Sequence, residues 1–112
     1  MIIYVAGPYR APERPWWRRI LWPDELVISL NIERAKDVSK LLWREGYTVI
    51  CPHMNTAHFD GVVTDERFLK SGIEILKRCD AIYMMPGWQK SKGAVEEYWA
   101  AISWGLKVID GS

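Results

Sequence analysis

The sequence has no long apolar run, almost no net charge and no basic leader, and each of these absences excludes a class of protein. No segment approaches the roughly 18 apolar residues that a membrane-spanning helix needs. The opening residues MIIYVA lack the basic region that begins a signal peptide. A formal net charge of +1 gives no general electrostatic reason to bind nucleic acid or an anionic membrane. We therefore expect a cytoplasmic protein that binds neither nucleic acid nor a membrane.

Cysteine and histidine are scarce, which limits disulfide and metal chemistry. Cys51 and Cys79 each lie in or beside an apolar segment, where a free thiol acts as a small hydrophobe. A structural disulfide is not expected in the cytoplasm. His53, His58 and Asp60 could be read as metal ligands, but a His-x4-His spacing without a confirming third spacing does not define a metal site. We expect loop histidines that hydrogen-bond a ligand or the backbone, and neither a metal nor another cofactor.

What the sequence does contain is an alternation of strand-like and helical segments. The chain has 112 residues, 49% of them hydrophobic, which suits one domain with a single core over residues 1–112. Short β-branched and aromatic segments predict strands at residues 2–6, 47–51, 80–85 and 106–109. One helix is expected to begin between Asp24 and Asn31 and to end at Gly46, a second to be capped by Thr64, and a third to end at Gly105.

This alternation predicts parallel strands joined by right-handed crossovers. We expect an α/β fold: a small three-layer sandwich with a flavodoxin-like or Rossmann-like parallel sheet of about four strands and helices on both faces. In such sheets ligands bind outside the carboxyl ends of the strands, where the strand order switches. Three loops meet there, at residues 7–10, 52–60 and 86–93, and they hold most of the unusual polar residues.

The segment from residue 85 to residue 99 reads as the end of a strand, a Gly/Pro turn and a helix. It places a helix N-terminus, with free N–H groups and a partial positive charge, at a ligand-binding edge. At about 100° per residue, Glu97 falls at the edge of the apolar stripe and Glu96 points away from it. Glu97 is expected at the rim of a pocket, partly shielded from water; alternatively, both are ordinary surface acids. The stripe comprises Ala94, Val95, Tyr98, Ala101, Ile102 and Gly105.

Residues 9–24, here called the Trp/Arg segment, are rich in tryptophan, arginine and proline and show no helical or alternating period. Such long loops are usually lids, interaction surfaces or disordered. The mixture of aromatic and cationic side chains could stack on a base and hold phosphate, insert into a membrane interface or bury Trp16, Trp17 and Trp22 against a partner subunit. We favour the partner subunit, because exposed aromatic patches mark association surfaces, and we predict a homodimer or larger assembly.

Several positions together resemble a known superfamily. Tyr4-x-x-Gly7 at the end of the first strand, Ser91-x-Gly93, and Glu97 followed by a helix of small residues are similar to the nucleoside 2-deoxyribosyltransferase superfamily. This superfamily includes the 2'-deoxynucleoside 5'-monophosphate N-hydrolases. The resemblance covers nearly the whole chain in the order of its elements, whereas the signature rests on a few positions. It therefore implies a fold more firmly than a reaction.

The resemblance implies a mechanism in which Glu97 is the nucleophile. Its carboxylate would attack C1' of a 2-deoxyribosyl group, and water or a second base would resolve the covalent intermediate, as in retaining glycosidases. A nucleophile must be ionised at neutral pH, and the nearby helix N-terminus favours the charged form of the carboxylate. Tyr4 would position it, although a plain core tyrosine is the alternative. Ser91 and Gly93 would hold a 5'-phosphate, although Ser91 could be simply an N-cap.

One feature of the superfamily is missing from the chain. The aspartate that lies eight residues before the third-strand aspartate in the superfamily would fall at Gly72 here. We expect Asp60 to substitute for it as the proton donor, with a turn aspartate before Gly61 as the alternative. Without an acid, the chain could instead be a non-catalytic nucleotide-binding or sensing module. The other residues predicted to bind substrate are Gly7, Pro8, Tyr9, Arg10, His53 and Trp88.

Overall fold

The computed structural model describes residues 1–111 and contains a parallel sheet of four strands. The strands are β1 (Ile2–Ala6), β2 (Thr48–Ile50), β3 (Ala81–Met84) and β4 (Lys107–Asp110), in the order β2-β1-β3-β4. β1 pairs with both β2 and β3, so the strand order switches between β1 and β3. The flavodoxin-like sheet predicted from the sequence is confirmed.

Helices connect the strands, and local signals mark several of their ends. They are α1 (Trp16–Leu21), α2 (Asp24–Arg44), α3 (Pro52–Asn55), α4 (Asp65–Leu76) and α5 (Lys92–Ser103), with a 3₁₀ turn at Trp88–Lys90 before α5. The Thr64 hydroxyl accepts a hydrogen bond from the Arg67 N–H at 3.1 Å, as an N-cap does. After α2, Gly46 takes a φ of +96°, a conformation that closes helices and favours glycine.

The core lies on both faces of the sheet because successive strand residues point to opposite sides. Ile3 and Val5 of β1 pack with α2 on one face. Tyr4 and Ala6 pack on the other face with side chains from α4 and α5. β1 is nearly sealed from water, since its residues from Ile3 onward are at most 1% exposed. Its sequence is accordingly apolar on both sides, apart from the phenol of Tyr4. None of the helices within residues 1–111 is long and apolar enough to cross a membrane.

Two segments that the sequence predicted to be loops contain short helices. The Trp/Arg segment includes α1, and the loop after β2 begins with α3. α1 has no buried side chain, so it leaves no apolar period in the sequence. α3 spans one turn and starts at Pro52, a residue well suited to the first helical position because its φ is fixed and it lacks an N–H. Both helices are too short for periodicity to reveal.

α5 is rotated relative to the prediction. Glu97 was expected at the edge of the buried stripe, but it lies on the buried side with Ala94 and Ala101, whereas Ile102 is 44% exposed. The predicted stripe contained Ala94 and Ala101 but extended to Ile102 and Gly105, which are exposed. The helix instead turns its small alanines toward the sheet, which lets α5 pack closely and brings Glu97 inward with them.

Candidate active site

The centre of the site is a contact between β1 and α5. Tyr4 is 1% exposed and Glu97 is 9% exposed. The Tyr4 hydroxyl donates a hydrogen bond to Oε2 of Glu97 in the protein interior. The pleat of β1 directs Tyr4 to the face that α5 covers, and the rotation of α5 directs Glu97 toward the sheet. The structure thus brings together the two residues that the resemblance assigned to nucleophile and positioning group.

Burial controls the protonation of this pair. It raises the pKa of Glu97 to about 7, with a further upward contribution from Glu96, while the hydrogen bond from Tyr4 lowers it. Burial and the neighbouring carboxylate raise the pKa of Tyr4 as well, so the phenol stays protonated and donates. Burial thus outweighs the influence of the helix N-terminus, which was expected to favour the charged form of Glu97. α5 begins at Lys92, which places Glu97 beyond the first turn, where the helix dipole acts most strongly.

Within residues 1–111, only Oε2 of the two carboxylate oxygens of Glu97 accepts a hydrogen bond. Oε2 accepts the hydrogen bond from Tyr4. Oε1 has no hydrogen bond to any residue of the described chain, 1–111, and it is not one of the fully buried polar atoms that lack a partner. The small exposed surface of the glutamate is thus compatible with an Oε1 open to a ligand, while Oε2 holds the side chain in place.

Gly72 of α4 lies directly beside the pair. A Cβ added to this buried glycine would stand 2.7 Å from the Tyr4 hydroxyl oxygen and 3.7 Å from Oε2 of Glu97. The position at which the resemblance predicts an acid therefore adjoins the Tyr4–Glu97 pair. The tyrosine hydroxyl occupies the space that the acidic side chain would need.

The three loops predicted to converge do so around Pro8. His53 donates from Nε2 to the Pro8 carbonyl at 2.9 Å, and its ring meets that of Tyr9 edge to face at 5.3 Å. Gly87, in the loop after β3, lies so close to Pro8 that a Cβ on it would be 3.6 Å from the Pro8 Cγ. Gly7 is buried against Met85, so its lack of a side chain is explained by close packing where β1 and β3 end.

His53 is held as a neutral ring with an unused acceptor. Burial lowers its pKa, which the hydrogen bonds to the backbone partly oppose. Because a carbonyl only accepts, Nε2 must carry the proton, and Nδ1 is left as a bare acceptor. Nδ1 is buried and has no partner in the described part of the chain. His58 is exposed, with a φ of 61°. Within residues 1–111 no three His, Cys, Asp or Glu side chains form a group that could hold a metal.

Asp60 is engaged with another partner. It pairs with Arg10 at 2.8 Å, and Arg10 also contacts Asp65 at 2.6 Å. The Asp60 side chain is 41% exposed. A carboxylate that is exposed and paired with a guanidinium is poorly placed to donate a proton to a leaving base, so the geometry adds no support to the predicted role of Asp60 as the acid. Through its ion pair with Asp65, Arg10 instead links the loop after β1 to the start of α4.

The loop before α5 carries the remaining predicted residues. Ser91 is the N-cap of α5, and its hydroxyl accepts from the Ala94 N–H at 3.3 Å. Gly93 is half-buried in the first turn near Leu69. Trp88 stacks on Tyr98 with ring centroids 4.7 Å apart, and its buried indole N–H lacks a partner in residues 1–111. The Ser91 hydroxyl can still donate to a ligand, because capping uses it only as an acceptor.

Asn31 was missed from the sequence. It is 7% exposed and donates from Nδ2 to the Tyr9 carbonyl at 3.1 Å, which ties the loop after β1 to α2. Its signal was an amide on the apolar stripe of α2, between the buried residues Ile28, Ile32 and Ala35. A polar residue at such a position usually has a specific partner.

Comparison with known proteins supports the fold. No curated protein matches the chain. A solved structure, the 2-desoxiribosyltransferase from Leishmania mexicana, matches 97% of this chain with a TM-score of 0.55 and 19% identity. The match covers 62% of that protein, so the chain spans less than two thirds of its length. The predicted resemblance is thereby confirmed at the level of the fold. A family model described as a domain of unknown function (DUF4406) matches residues 28–110, which is most of the chain, and the protein belongs to that family.

Proposed function

We propose that the protein cleaves the N-glycosidic bond of a 2'-deoxyribonucleoside or its 5'-monophosphate. The observation that carries the proposal is the buried Glu97 carboxylate, whose Oε2 accepts the hydrogen bond from Tyr4 and whose Oε1 has no hydrogen bond within residues 1–111. A carboxylate fixed in this way is suited to nucleophilic attack, because one oxygen orients the group and the other can form the new bond. The shared fold with a 2-desoxiribosyltransferase agrees with this chemistry.

The reaction proceeds in two displacements at C1'. Oε1 of Glu97 forms a bond to C1' as the bond between C1' and the base nitrogen breaks. The electron pair leaves with the base, which takes up a proton from solvent water, since no residue is assigned as its donor. Water or a second base then attacks C1' and releases the carboxylate. The Tyr4 hydroxyl keeps its hydrogen bond to Oε2 throughout, so the Glu97 side chain loses little orientational entropy at each step.

Ionisation of Glu97 sets the pH range of the reaction. The attacking species is the carboxylate, and a pKa of about 7 leaves about half of the molecules in this form at neutral pH. The rate of the first step is expected to rise with pH and to reach half of its limit near pH 7. The phenol of Tyr4 remains protonated across this range because its pKa is raised.

The start of α5 is the proposed site for the 5' end of the substrate. Ser91 has a hydroxyl proton to donate, and a helix leaves its first N–H groups without intrahelical partners. A phosphate suits such donors, and it meets no negative charge at Ser91. We therefore favour the 5'-monophosphate over the free nucleoside.

The test is release of free base. The protein is incubated with each common 2'-deoxynucleoside and each 5'-monophosphate, and free base is measured by chromatography. We expect release from at least one substrate, at least a 1000-fold lower rate in Glu97→Gln, and near-normal release in the control Glu96→Gln, since Glu96 is exposed on the same helix. Equal activity of Glu97→Gln and the unaltered protein would refute the mechanism.

A second candidate is a nucleotide-binding module without catalysis, and Gly72 favours it. The superfamily's acid is absent from a position that directly adjoins Tyr4 and Glu97, which leaves no assigned donor for the departing base. This candidate predicts saturable binding of a nucleotide by calorimetry and no release of base. Turnover that depends on Glu97 would exclude it.

A further inference from the structure

We propose that Gly72 is the positioning residue of the Tyr4–Glu97 pair, because only a residue without a side chain leaves room for the Tyr4 hydroxyl at the carboxylate. Its importance for catalysis rests on the proposed role of Glu97. The positioning of the Tyr4 hydroxyl by Gly72 does not depend on that proposed role, and it can be measured without a substrate.

A side chain at residue 72 is incompatible with the observed position of the Tyr4 hydroxyl. A Cβ at residue 72 would lie 2.7 Å from the Tyr4 hydroxyl oxygen, closer than real Cβ atoms approach other heavy atoms. Tyr4 cannot swing aside freely, since it belongs to the central strand β1 and is 1% exposed. Any side chain at residue 72 must therefore push the hydroxyl away from Glu97 or push α4 away from the sheet.

The helix itself gives no reason for a glycine at this position. Gly72 lies in the interior of α4, where glycine is less favourable than alanine because it loses more backbone entropy on folding. In the absence of Tyr4, alanine would thus be the better residue. The contact with the hydroxyl is what reverses this preference.

Gly72→Ala is compared in the unaltered protein and in Tyr4→Phe. The comparison separates the effect of the contact with the Tyr4 hydroxyl from the effect of glycine on helix stability. In the unaltered protein, Gly72→Ala is expected to increase the equilibrium constant for unfolding at least tenfold, which corresponds to about 1.4 kcal/mol. In Tyr4→Phe the hydroxyl is gone, and the nearest remaining atoms, Oε2 of Glu97 at 3.7 Å and Cζ of residue 4 at 3.9 Å, are at ordinary contact distances. There Gly72→Ala should decrease the same constant by roughly two- to fivefold, the usual gain in a helix interior. Urea unfolding monitored by circular dichroism provides both values.

Gly93→Ala is the matched control for stability. Gly93 is also helical, and a Cβ on it would meet only Leu69, at 3.7 Å. Its effect on unfolding should be the same with Tyr4 and with Tyr4→Phe. If Gly72→Ala fails to fold, folding of the double variant Tyr4→Phe/Gly72→Ala supports the proposal, and failure of both overturns it.

The titration midpoint of Glu97 is a second readout, because it would not change if Gly72 served only in the packing of α4. The carboxyl carbon of Glu97 is followed by NMR in glutamate-labelled protein, with Glu97→Gln to assign the signal. Loss of the hydrogen bond from Tyr4 should move the titration midpoint to higher pH in Gly72→Ala and in Tyr4→Phe. The double variant should show no larger shift than Tyr4→Phe alone. Glu96, Cys51 and Cys79, the other ionisable groups that act on the pair, are unchanged in every variant.

The outcomes separate this proposal from the proposed function. A sign reversal between the two backgrounds together with the shifted midpoint supports the positioning role, whether or not any base is released. The same effect of Gly72→Ala on stability in both backgrounds, or an unchanged Glu97 midpoint in Gly72→Ala, overturns it even if the protein proves to be an active N-glycosidase.

Discussion

At the scale of single residues, Glu97 combines two opposing requirements. Burial favours its protonated form and raises its pKa to about 7, whereas nucleophilic attack needs the carboxylate. The form proposed to react is therefore the one that destabilises the fold. The hydrogen bond from Tyr4 reduces this conflict because it stabilises the charged form.

This conflict predicts how stability depends on pH. Because the pKa of Glu97 is raised from its ordinary value of 4.5, the folded protein binds the proton more tightly, and its free energy of unfolding should fall as pH rises from about 4.5 to about 7. The expected loss is on the order of 2 to 3 kcal/mol, from about 1.4 kcal/mol per pH unit. Urea unfolding at pH 5 and pH 8 measures it.

Glu97→Gln is the control for this prediction, because it keeps an acceptor for Tyr4 without a titrating group. The lowered pKa of His53 acts in the opposite direction, since a buried neutral imidazole loses stability as pH falls. The difference between the two proteins removes that contribution. The same pH dependence in both proteins would contradict the assignment to Glu97.

Removal of the Tyr4 hydroxyl should affect the reaction as well as the titration. Tyr4→Phe deletes a hydrogen bond to a charged group, worth about 1.5–3 kcal/mol, so kcat/KM at pH 7 should fall roughly 10- to 100-fold. The pH at half-maximal rate should move upward, because the carboxylate loses its donor. Steady-state kinetics between pH 5 and pH 9 test this. A lower rate with an unchanged pH profile would mean that Tyr4 does not act through Glu97.

At the scale of elements, the first turn of α5 links helix capping to substrate preference. Ser91 caps this helix, and aspartate is an equally good N-cap. Ser91→Asp should therefore keep the free energy of unfolding within about 0.5 kcal/mol, whereas Ser91→Ala should lower it by about 1 kcal/mol. Urea unfolding distinguishes the two variants.

The same pair of variants tests the proposed phosphate site. Ser91→Asp places a negative charge beside the 5' end, so KM for a 5'-monophosphate should rise at least tenfold while KM for the free nucleoside stays nearly constant. Ser91→Ala should weaken binding of the monophosphate less, because the backbone N–H groups remain. If both substrates respond alike to Ser91→Asp, the 5' end does not lie at this helix start.

Elements were predictable to the extent that their signals are local. Thr64 and Gly46 were identified as helix boundaries from residue type and position, and the structure confirms both. α1 and α3 were missed because one or two turns leave no measurable period. The rotation of α5 was missed because the predicted stripe extended to Ile102 and Gly105, which are exposed, whereas packing on the sheet buries Ala94, Glu97 and Ala101.

At the scale of the whole molecule, the largest unexplained feature is the exposed apolar surface of α1. None of its side chains is buried, and the large apolar side chains of Trp16, Ile20 and Leu21 are each at least 66% exposed. The segment is nevertheless held in place, because Arg14 contacts both Asp24 at 2.7 Å and the Trp22 carbonyl at 2.6 Å. An ordered apolar surface of this kind is typical of an association site.

We propose that two copies of the chain associate through this surface. Besides α1, Leu26 and Leu30 of α2 are also exposed, and a groove of about 380 Å³ lies between α1 and the start of α2. A stable dimer buries about 800 Å² per partner, and one tryptophan can supply about 150–250 Å². Sedimentation velocity at several concentrations should show a dimer or larger species.

Ile20→Glu should shift this assembly to monomer, since it places a charge at the centre of the apolar surface. Val62→Glu is the matched control, because Val62 is 70% exposed but lies in the loop before α4. A monomer at all concentrations in the unaltered protein, or the same effect from both variants, would refute association through α1.

The sequence by itself determined the alternation of strands and helices, the parallel sheet and the helix caps, because hydrogen bonds and apolar periods within a few residues encode them. Only the tertiary structure decided how the site is assembled: Tyr4 and Glu97 lie 93 residues apart, and Gly72 approaches them from a third element. Packing of β1, α4 and α5 sets how deeply the carboxylate is buried, and burial sets its pKa. No local pattern carries that information, since it depends on side chains contributed from three distant parts of the chain.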